Sequence, residues 1–372
     1  MYIRSLRLNE YRNYNNLDIS FSPGINILYG DNAQGKTNIL EAIFLSATTK
    51  SHRSSKDKEI IKFGSDQAHI RSIWERKSVE YRVDMHLRSM RPKGIALNGQ
   101  SVKRASELIG LCNVVFFSPE DLAIIKNGPS ERRRFIDMEL CQIDKAYLND
   151  LNQYSKTVNQ RNSLLRDIAA KTGMNMKSDD LLDVLSVWNV QLVNYGIKVI
   201  NARKKFIDEL NEIIDDIHYR LSGEKERLKI EYRPFTKPED FEENVIRSTQ
   251  TDLKYKTTNT GPHKDDIIFF INETDVRKFG SQGQQRTAAL SLKLAEIEMI
   301  RKNKNESPVL LLDDVLSELD GGRQTFLLES IKDIQTIITC TGLDDFVNRR
   351  IKIDNVYNVK NGQVLCMENN DI

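Results

Sequence analysis

Ile25-Asn26-Ile27-Leu28-Tyr29-Gly30-Asp31-Asn32-Ala33-Gln34-Gly35-Lys36-Thr37 decides the fold. Its first five residues read as a short apolar strand entered through the Pro23-Gly24 turn. Gly30 to Thr37 matches GxxxxGK(S/T), and Thr37 to Ser46 has helical apolar spacing at Ile39, Ile43 and Phe44. Strand, loop and helix form the context that a phosphate-cradling loop needs. Gly30 and Gly35 let the backbone curl, so that the N–H groups across Asp31, Asn32, Ala33 and Gln34 turn inward. With the helix N-terminus behind them they make an anion site. Lys36 adds a point charge on the outer phosphates, and the Thr37 hydroxyl is placed to ligate magnesium.

The second half of such a site lies far along the chain. Val309-Leu310-Leu311-Leu312-Asp313-Asp314 is an apolar strand of the kind buried between helices, ending in two carboxylates. Alone, that ending is commonly a solvated turn. Paired with the loop at Gly30 to Thr37, it assigns magnesium to Asp313 through water, and the orientation or deprotonation of an attacking water to Asp314. Between the halves, Ser281-Gln282-Gly283-Gln284-Gln285 opens a helix running to about Arg301. Ser281 reads as an ordinary helix cap or, with Gly283 and the exposed N-terminus, as a second receiver of phosphate.

The rest of the chain sorts around these motifs. Ile3 to Asn9 and Leu17 to Phe21 read as strands. Ala68 to Trp74, Val79 to Leu87 and Ile95 to Leu97 form a β-rich patch, with a turn at Asn98-Gly99. A short helix near Lys103 to Ile109 precedes the strand Val114 to Phe117. From Arg132 to Leu221 the signal is helical: Tyr147, Leu151, Tyr154 and Val158 share a face, as do Phe206, Leu210, Ile213, Ile214, Ile217 and Leu221. A break at Gly173 to Asp180 separates two long helices, with Ser178 as a cap for the second. Ile267 to Ile271 and Val276 to Phe279 are expected to form a hairpin around Asn272 to Asp275. Thr325 to Ile331 reads as helix and Thr336 to Cys340 as strand. Tyr357 to Val359 and Val364 to Cys366 flank the hairpin turn Asn361-Gly362. The expected architecture is α/β with a helical insert, too short and too irregular in its heptads for a long coiled coil.

With 372 residues, 39% hydrophobic and 29% charged, the chain fits a soluble globular protein rather than a disordered one. No apolar run is long enough to span a bilayer and the N-terminus has no signal-peptide core, so the expectation is a cytoplasmic protein without membrane contact. Cys112, Cys141, Cys340 and Cys366 show no CxxC spacing, and the five histidines form no metal-binding pair. The net charge of +2 neither announces a nucleic-acid partner nor excludes one.

The order of phosphate loop, Ser-x-Gly-Gln helix start and Walker B strand resembles the ABC ATPases. Asp313-Asp314-Val315-Leu316-Ser317-Glu318-Leu319-Asp320 resembles their Walker B followed by a D-loop ending in Ser-x-Leu-Asp. In that superfamily the signature of one subunit covers the γ-phosphate bound by another. The resemblance narrows to the RecF family of bacterial DNA-repair proteins, related to the SMC ATPase heads. It is carried by Asn9 to Tyr14, Gly30 to Thr37, Ser51-His52-Arg53, Phe117 to Leu122, Gly128 to Phe135, Thr260 to Asp266 and Ser281 to Gln285.

The resemblance implies an ABC-type ATPase head with a P-loop core, a mixed sheet and an antiparallel β patch over 1–125 and 261–372. A helical arm is inserted at 126–260. It further implies ATP and Mg2+ as cofactors, and an ATP-dependent homodimer that clamps duplex DNA near single-strand gaps and duplex junctions. RecR and RecO are the implied protein partners, and slow hydrolysis releases the clamp. Nucleotide contacts are carried to Gly30 through Thr37, Ser281, Gln282, Gly283, Gln284 and Asp320, catalytic roles to Lys36, Asp313 and Asp314, and magnesium to Thr37 and Asp313. Asp314 stands where most ABC proteins carry glutamate. The switch histidine has no counterpart among Thr339, Cys340 and Thr341, and its role falls to Thr341. Phe117 to Leu122, with Ser118, takes the place of the Q-loop without its glutamine.

Other readings stay open at this level. Tyr11 or Tyr14 stacks on adenine or packs in the core. Ser51-His52-Arg53 approaches the nucleotide or forms a surface turn. Arg132, Arg133 and Arg134 meet DNA, structure a helix start or form a solvated face. Asp265 and Asp266 organise a turn rather than hold a metal. A small-molecule kinase would share the loop but has no use for a signature or a D-loop. A transporter ATPase subunit is disfavoured by the helical insert and by the missing Q-loop glutamine.

Overall fold

The structure is a computed structural model that describes residues 1–53, 56–173, 179–342 and 352–367. Ser178 lies outside the described residues, as does the centre of the break expected between the long helices. The chain divides into two compact units, Met1–Asp121 with Glu296–Ile372, and Leu122–Ala295. Division by sequence assigns 261–295 to the head; division by contact groups them with the helical segment.

The first unit holds two sheets. One is antiparallel throughout, in the order β2-β1-β4-β5-β6-β7, built from β1 (Tyr2–Tyr11), β2 (Tyr14–Ser20), β4 (Gln67–Arg76), β5 (Val79–Arg88), β6 (Gly94–Leu97) and β7 (Gln100–Ser101). Period-two patterning makes it one-sided: Leu6, Leu8, Ile70, Trp74, Val83, Met85 and Leu87 are buried. The other sheet runs β15-β14-β3-β13-β12-β8, from β3 (Ile25–Tyr29), β8 (Val114–Phe117), β12 (Val309–Asp313), β13 (Thr336–Cys340), β14 (Asn355–Lys360) and β15 (Gln363–Met367). β14, β3, β13, β12 and β8 are mutually parallel where they pair, and β15 returns antiparallel to β14. Helix α1 (Lys36–Thr48) is buried around most of its circumference, which is why its apolar spacing is denser than a one-sided helix requires. Ile39 and Ile43 are fully buried, each contributing about 1.5–3 kcal/mol of transfer free energy. A single-turn 3-10 helix, Ala105–Glu107, stands where a short helix was expected. Helix α9 (Gly321–Ser330) follows β12.

The second unit contains α2 (Leu122–Lys126), α3 (Pro129–Ile143), α4 (Lys145–Gly173), α5 (Asp179–Leu221), α6 (Phe241–Tyr255) and α7 (Val276–Phe279). A small sheet, β11-β10-β9, adds β9 (Leu228–Arg233), β10 (Asp266–Ile271) and β11 (Thr274–Asp275). Helix α8 (Gln282–Lys304) contains the division point. Leu164, Leu165 and Ile168 pack on Leu185, with Leu181, Trp188 and Leu253 around them.

Buried charges fix this unit internally. Arg161 donates to Asp252, Thr258 and Asn189, and Arg203 to Asp137, Asp265 and the Pro262 carbonyl. Asp265 also accepts from Tyr232 and from the Phe235 N–H, so it organises the turn as expected. Burial nevertheless raises its carboxyl pKa, against the pull of those partners.

Two sequence readings need correction here. Val276–Phe279 is a one-turn helix rather than a strand, because the Asp275 carboxylate accepts from the Arg277 and Lys278 N–H groups and caps it. The hairpin closes instead between β10 and the two-residue β11. Arg132 is not on a solvated face: it is 2% exposed and makes a two-pronged ion pair with Asp266. The elements β9 and α6 complete the unit.

Candidate functional site

Three strand ends build the site. β3 pairs with β13, and β13 with β12, all parallel, so their C-terminal ends lie side by side. The loop leaving β3 begins at Gly30, whose φ is +150°; a Cβ there would stand 2.3 Å from the Val359 carbonyl oxygen of β14. Ala33 takes φ +63° and Gly35 φ +114°. A Cβ on Gly35 would meet the Asn13 amide at 2.5 Å and the Tyr14 hydroxyl at 2.8 Å. The two glycines are thus required by close approach as well as by torsion.

The loop is held from outside by two turns. Asn13, between β1 and β2, donates to the Gln34 carbonyl at 2.9 Å and accepts from Asn38 at 2.8 Å. The Tyr14 hydroxyl donates to the Gly35 carbonyl at 3.1 Å. Tyr11 and Tyr14 are both fully buried, so they pack and are not adenine platforms. On the other side, the Asn361 N–H at the β14–β15 turn donates to Gln34 Oε1 at 2.7 Å. The bonds from Asn13 and Tyr14 occupy loop carbonyls and leave N–H groups for an anion.

Lys36 Nζ donates to the carbonyls of Gly30 and Asp31, curled over its own loop. Burial lowers its pKa, while Asp314, Cys340, Asp313 and Asp31 pull it back up. Thr37 Oγ1 donates to Asp313 Oδ1 at 2.8 Å, and Thr339 Oγ1 donates to the same oxygen at 2.8 Å. Burial raises the Asp313 carboxyl pKa, opposed by those hydroxyls and by the positive charge of Arg53. Asp314 sits in the left-handed region at φ +55°, a conformation costing about 1 kcal/mol or more in a non-glycine residue. Its N–H donates to Thr339 Oγ1 at 2.9 Å and its carbonyl accepts from Ser317 at 2.8 Å, bonds that hold the turn.

Behind the loop, Glu41 on α1 is fully buried and accepts two bonds from the Arg12 guanidinium, at 2.7 and 2.8 Å, and one from Ser51 at 2.5 Å. His52 stacks against Phe116 at 3.9 Å. Ser51 and His52 therefore tie the segment after α1 to the core, and Arg53 acts on Asp313 through its charge.

The remaining assigned residues have separate places. Thr341 is exposed just beyond β13; its neighbour Thr339 is the residue bonded to both aspartates. The parallel register of β12 and β13 sets Thr339 directly beside Asp313, and no pattern in the sequence displays that register. Ser118 is buried and its N–H donates to Asp121. Asp320 caps α9, accepting from Gly322, Arg323 and the Arg323 guanidinium. In the second unit Ser281 and Gln284 form a reciprocal capping box at the start of α8, at 3.2 and 2.9 Å. Ser281 and Gln282 are exposed, and a Cβ on Gly283 would meet no atom nearer than 3.8 Å, so this helix N-terminus is open.

Thr37 Oγ1 and Asp313 Oδ1 form an oxygen-only donor pair beside the loop, which fits a hard divalent cation such as magnesium. Among the described residues no cluster of three or more His, Cys, Asp or Glu side chains could hold a metal, so any such ion would share its coordination with a ligand or water. No described helix is long and apolar enough to cross a membrane.

A family model described as the RecF/RecN/SMC N terminal domain matches residues 2–364. The chain is 58% identical to the DNA replication and repair protein RecF of Agathobacter rectalis, over 98% of this chain and 99% of the relative. It is 56% identical to that of Lachnospira eligens, with the same coverage. Among solved structures, the recombination mediator protein RecF with ATP in the RecFOR pathway superposes with a TM-score of 0.91 at 35% identity, covering 99% of this chain and 98% of that one. An SMC head bound to the C-winged helix domain of ScpA matches with a TM-score of 0.58 at 17% identity, over 100% of this chain and 99% of that one, a likeness of fold. The fold is an ABC-type ATPase head, and the chain belongs to the RecF family.

Proposed function

We propose that the chain is a DNA-repair ATPase whose two half-sites meet across an ATP-dependent homodimer. The observation that carries this reading is the bond between Thr37 and Asp313, which sets a phosphate loop and a carboxylate strand end around one small volume. ATP binds with its phosphates on the N–H groups from Gly30 to Thr37 and on Lys36. Thr37 and Asp313 hold magnesium, which when bound neutralises charge on the outer phosphate oxygens. Asp314 accepts the proton of the attacking water as ATP and water give ADP and phosphate. Its short side chain, on a strained turn, suits a slow reaction.

The open start of α8, with Ser281, Gln282, Gly283 and Gln284, supplies N–H groups to the γ-phosphate held by a second copy. Asp320 and Thr341 are the residues of the first unit to which the family likeness assigns a nucleotide contact and the switch role. Closed in this way, the dimer grips duplex DNA near single-strand gaps and duplex junctions through phosphate contacts, and hydrolysis releases it. The RecF structure solved with ATP is described as part of the RecFOR pathway; by that relationship RecO and RecR are the partners through which the chain helps load a recombinase.

Light scattering with and without ATP and Mg2+, followed by duplex titration at several salt concentrations, tests the reading. The expected result is a monomer that dimerises with ATP and then binds duplex with a steep salt slope and little sequence preference. Equal duplex affinity with and without ATP would overturn the clamp.

A further inference from the structure

The signature turn sits in a circuit of hydrogen bonds, joined by one ion-pair contact, that passes through the long helix α5. Gln284 Oε1 accepts from the Ser281 N–H at 2.9 Å, and Gln284 Nε2 donates to Glu226 Oε1 at 2.8 Å. The other carboxylate oxygen, Glu226 Oε2, lies 3.4 Å from His218 Nε2, an ion-pair distance. His218, on the last turn of α5, is fully buried, and its Nδ1 lies 2.9 Å from Ser291 Oγ on α8. Ser291 Oγ donates to the Thr287 carbonyl at 2.8 Å, and Thr287 Oγ1 donates to the Gly283 carbonyl at 2.8 Å. The circuit has returned to Gly283, the residue before Gln284.

The Ser291 hydroxyl has one proton. With that proton on the Thr287 carbonyl, His218 Nδ1 is the donor to Ser291. A neutral ring would then turn the Nε2 lone pair toward a carboxylate oxygen. A ring protonated at both nitrogens instead meets Glu226 as a cation. Glu226, in turn, fixes which way the Gln284 amide points, and so keeps its oxygen on the Ser281 N–H.

We infer that Glu226 and His218 are positioning residues for the signature: they hold the Ser281–Gln284 turn in its open, phosphate-ready form and tie it to the base of α5. Neither residue belongs to the stretches read as nucleotide contacts. The consequence is that a displacement of the end of α5 reaches the helix N-terminus that a second copy's γ-phosphate would meet. The functional part of this inference rests on the dimer reading; the positional part does not.

The test is therefore made in two stages on the full chain. First, without nucleotide, amide hydrogen exchange over 281–287 is compared in wild type, Glu226→Ala and Glu226→Gln. Glu226→Ala should speed exchange about tenfold or more, as one circuit bond is lost, while Glu226→Gln should stay within about threefold. The glutamine carbonyl still accepts from Gln284, and its NH2 can donate to a neutral His218. Second, with ATP and Mg2+, Glu226→Ala should raise the protein concentration needed for dimerisation about tenfold, with single-chain ATP affinity within about twofold of wild type. Glu226→Gln should restore dimerisation. Should Glu226→Ala fold poorly, Thr287→Val cuts the circuit at its other end with nearly the same shape, and Thr287→Ser should rescue it. Wild-type exchange in Glu226→Ala and Thr287→Val, or equal damage in Glu226→Ala and Glu226→Gln, overturns the inference. A wild-type chain that never dimerises with ATP, but whose exchange responds as described, overturns the dimer reading and leaves the positioning role standing.

Discussion

Thr37 donates its hydroxyl to Asp313 across 2.8 Å, joining the first turn of α1 to the end of β12 over a sequence separation of 276 residues. Thr339 binds the same oxygen from the intervening strand and also receives the Asp314 N–H. One threonine thus approaches from the loop side and the other from the sheet side. The carboxylate is oriented before any ligand arrives, which lowers the reorganisation needed on binding.

Removing the Thr37 hydroxyl should disconnect nucleotide affinity from magnesium. Thr37→Val keeps the shape and β-branching of the residue but loses the oxygen. Calorimetry in Mg2+ should show ATP binding weakened by about 1.5–3 kcal/mol, the usual worth of a charge-assisted contact. EDTA should weaken wild type strongly and the variant little, and Thr37→Ser should resemble wild type. A Thr37→Val chain as magnesium-dependent as wild type would remove Thr37 from the metal site.

The C-terminal hairpin should matter for nucleotide affinity although it carries no motif. Gly362 has φ +71°, and a Cβ there would stand 2.8 Å from the Asn13 carbonyl oxygen. Gly362→Ala therefore adds left-handed strain to a backbone clash, and the hairpin must shift away from Asn13 and Gln34. A stability loss of about 1–2 kcal/mol is expected from the strain and clash, with weaker ATP binding as the Asn361–Gln34 bond opens. Asn361→Gly keeps the N–H and the left-handed torsion and should behave as wild type. Unchanged ATP affinity in Gly362→Ala would show that the loop needs no support from this side.

The two halves of the candidate site were legible because each carries strong local chemistry: glycines at Gly30 and Gly35 that only a curled loop demands, and an unbroken apolar strand ending at Asp313. Most strands of the first unit were legible from alternation or apolar runs. What escaped was set by tertiary partners. Val276 to Phe279 has strand-like residues, yet the Asp275 cap turns it into a helix. Arg132 sits in a run of three arginines that reads as solvated, and only its long-range pairing with Asp266 buries it. Thr339 has no motif of its own; its place beside Asp313 comes from a parallel register that sequence does not display. Asn13 acts on the loop backbone, and Asn361 through its own N–H on the Gln34 side chain, roles that many residues could fill, so no residue pattern marks them.

Arg12 should be a stability residue more than a nucleotide contact. Its guanidinium makes two bonds to Glu41, whose side chain is fully buried. Burial alone would raise the Glu41 carboxyl pKa; the bonds from Arg12 and Ser51 override it, and the net shift is downward. A carboxyl with a lowered folded pKa contributes stability above its unfolded value and loses it as pH falls through the folded one. Arg12→Met strands the carboxylate and should cost about 3–5 kcal/mol near neutral pH in urea unfolding. In the variant, burial is opposed by Ser51 without Arg12 and the Glu41 pKa rises, so the deficit should shrink as the pH is lowered and the carboxyl takes up a proton. Arg12→Lys should recover only part, since an ammonium cannot reproduce the two-pronged geometry. A deficit independent of pH would mean that lost packing of the Arg12 stem dominates.

The sharpest prediction concerns Ser281 and a mixture of two defective chains. Ser281 caps α8 through Gln284, so Ser281→Arg removes a cap worth about 1 kcal/mol and places a bulky cation at an open helix N-terminus. The loop from Gly30 to Thr37 is untouched, and a single chain should bind ATP almost as wild type does. Dimerisation should fail, because the arginine occupies the space a second copy's γ-phosphate would enter, and ATP hydrolysis should fail with it. Lys36→Ala has the reverse defect: an intact signature and a loop without its point charge, with ATP binding weakened by about 1.5–3 kcal/mol. Mixed together, the two chains can form one complete site from the intact loop of the Ser281→Arg chain and the intact signature of the Lys36→Ala chain. Partial ATPase should return in the mixture while each variant alone stays inactive. Loss of ATP binding by the isolated Ser281→Arg chain would place the signature in cis. Normal ATP-dependent dimerisation of Ser281→Arg would reduce Ser281 to a helix cap. Turnover of the mixture, measured beside light scattering and nucleotide titration of each chain alone, separates the three outcomes.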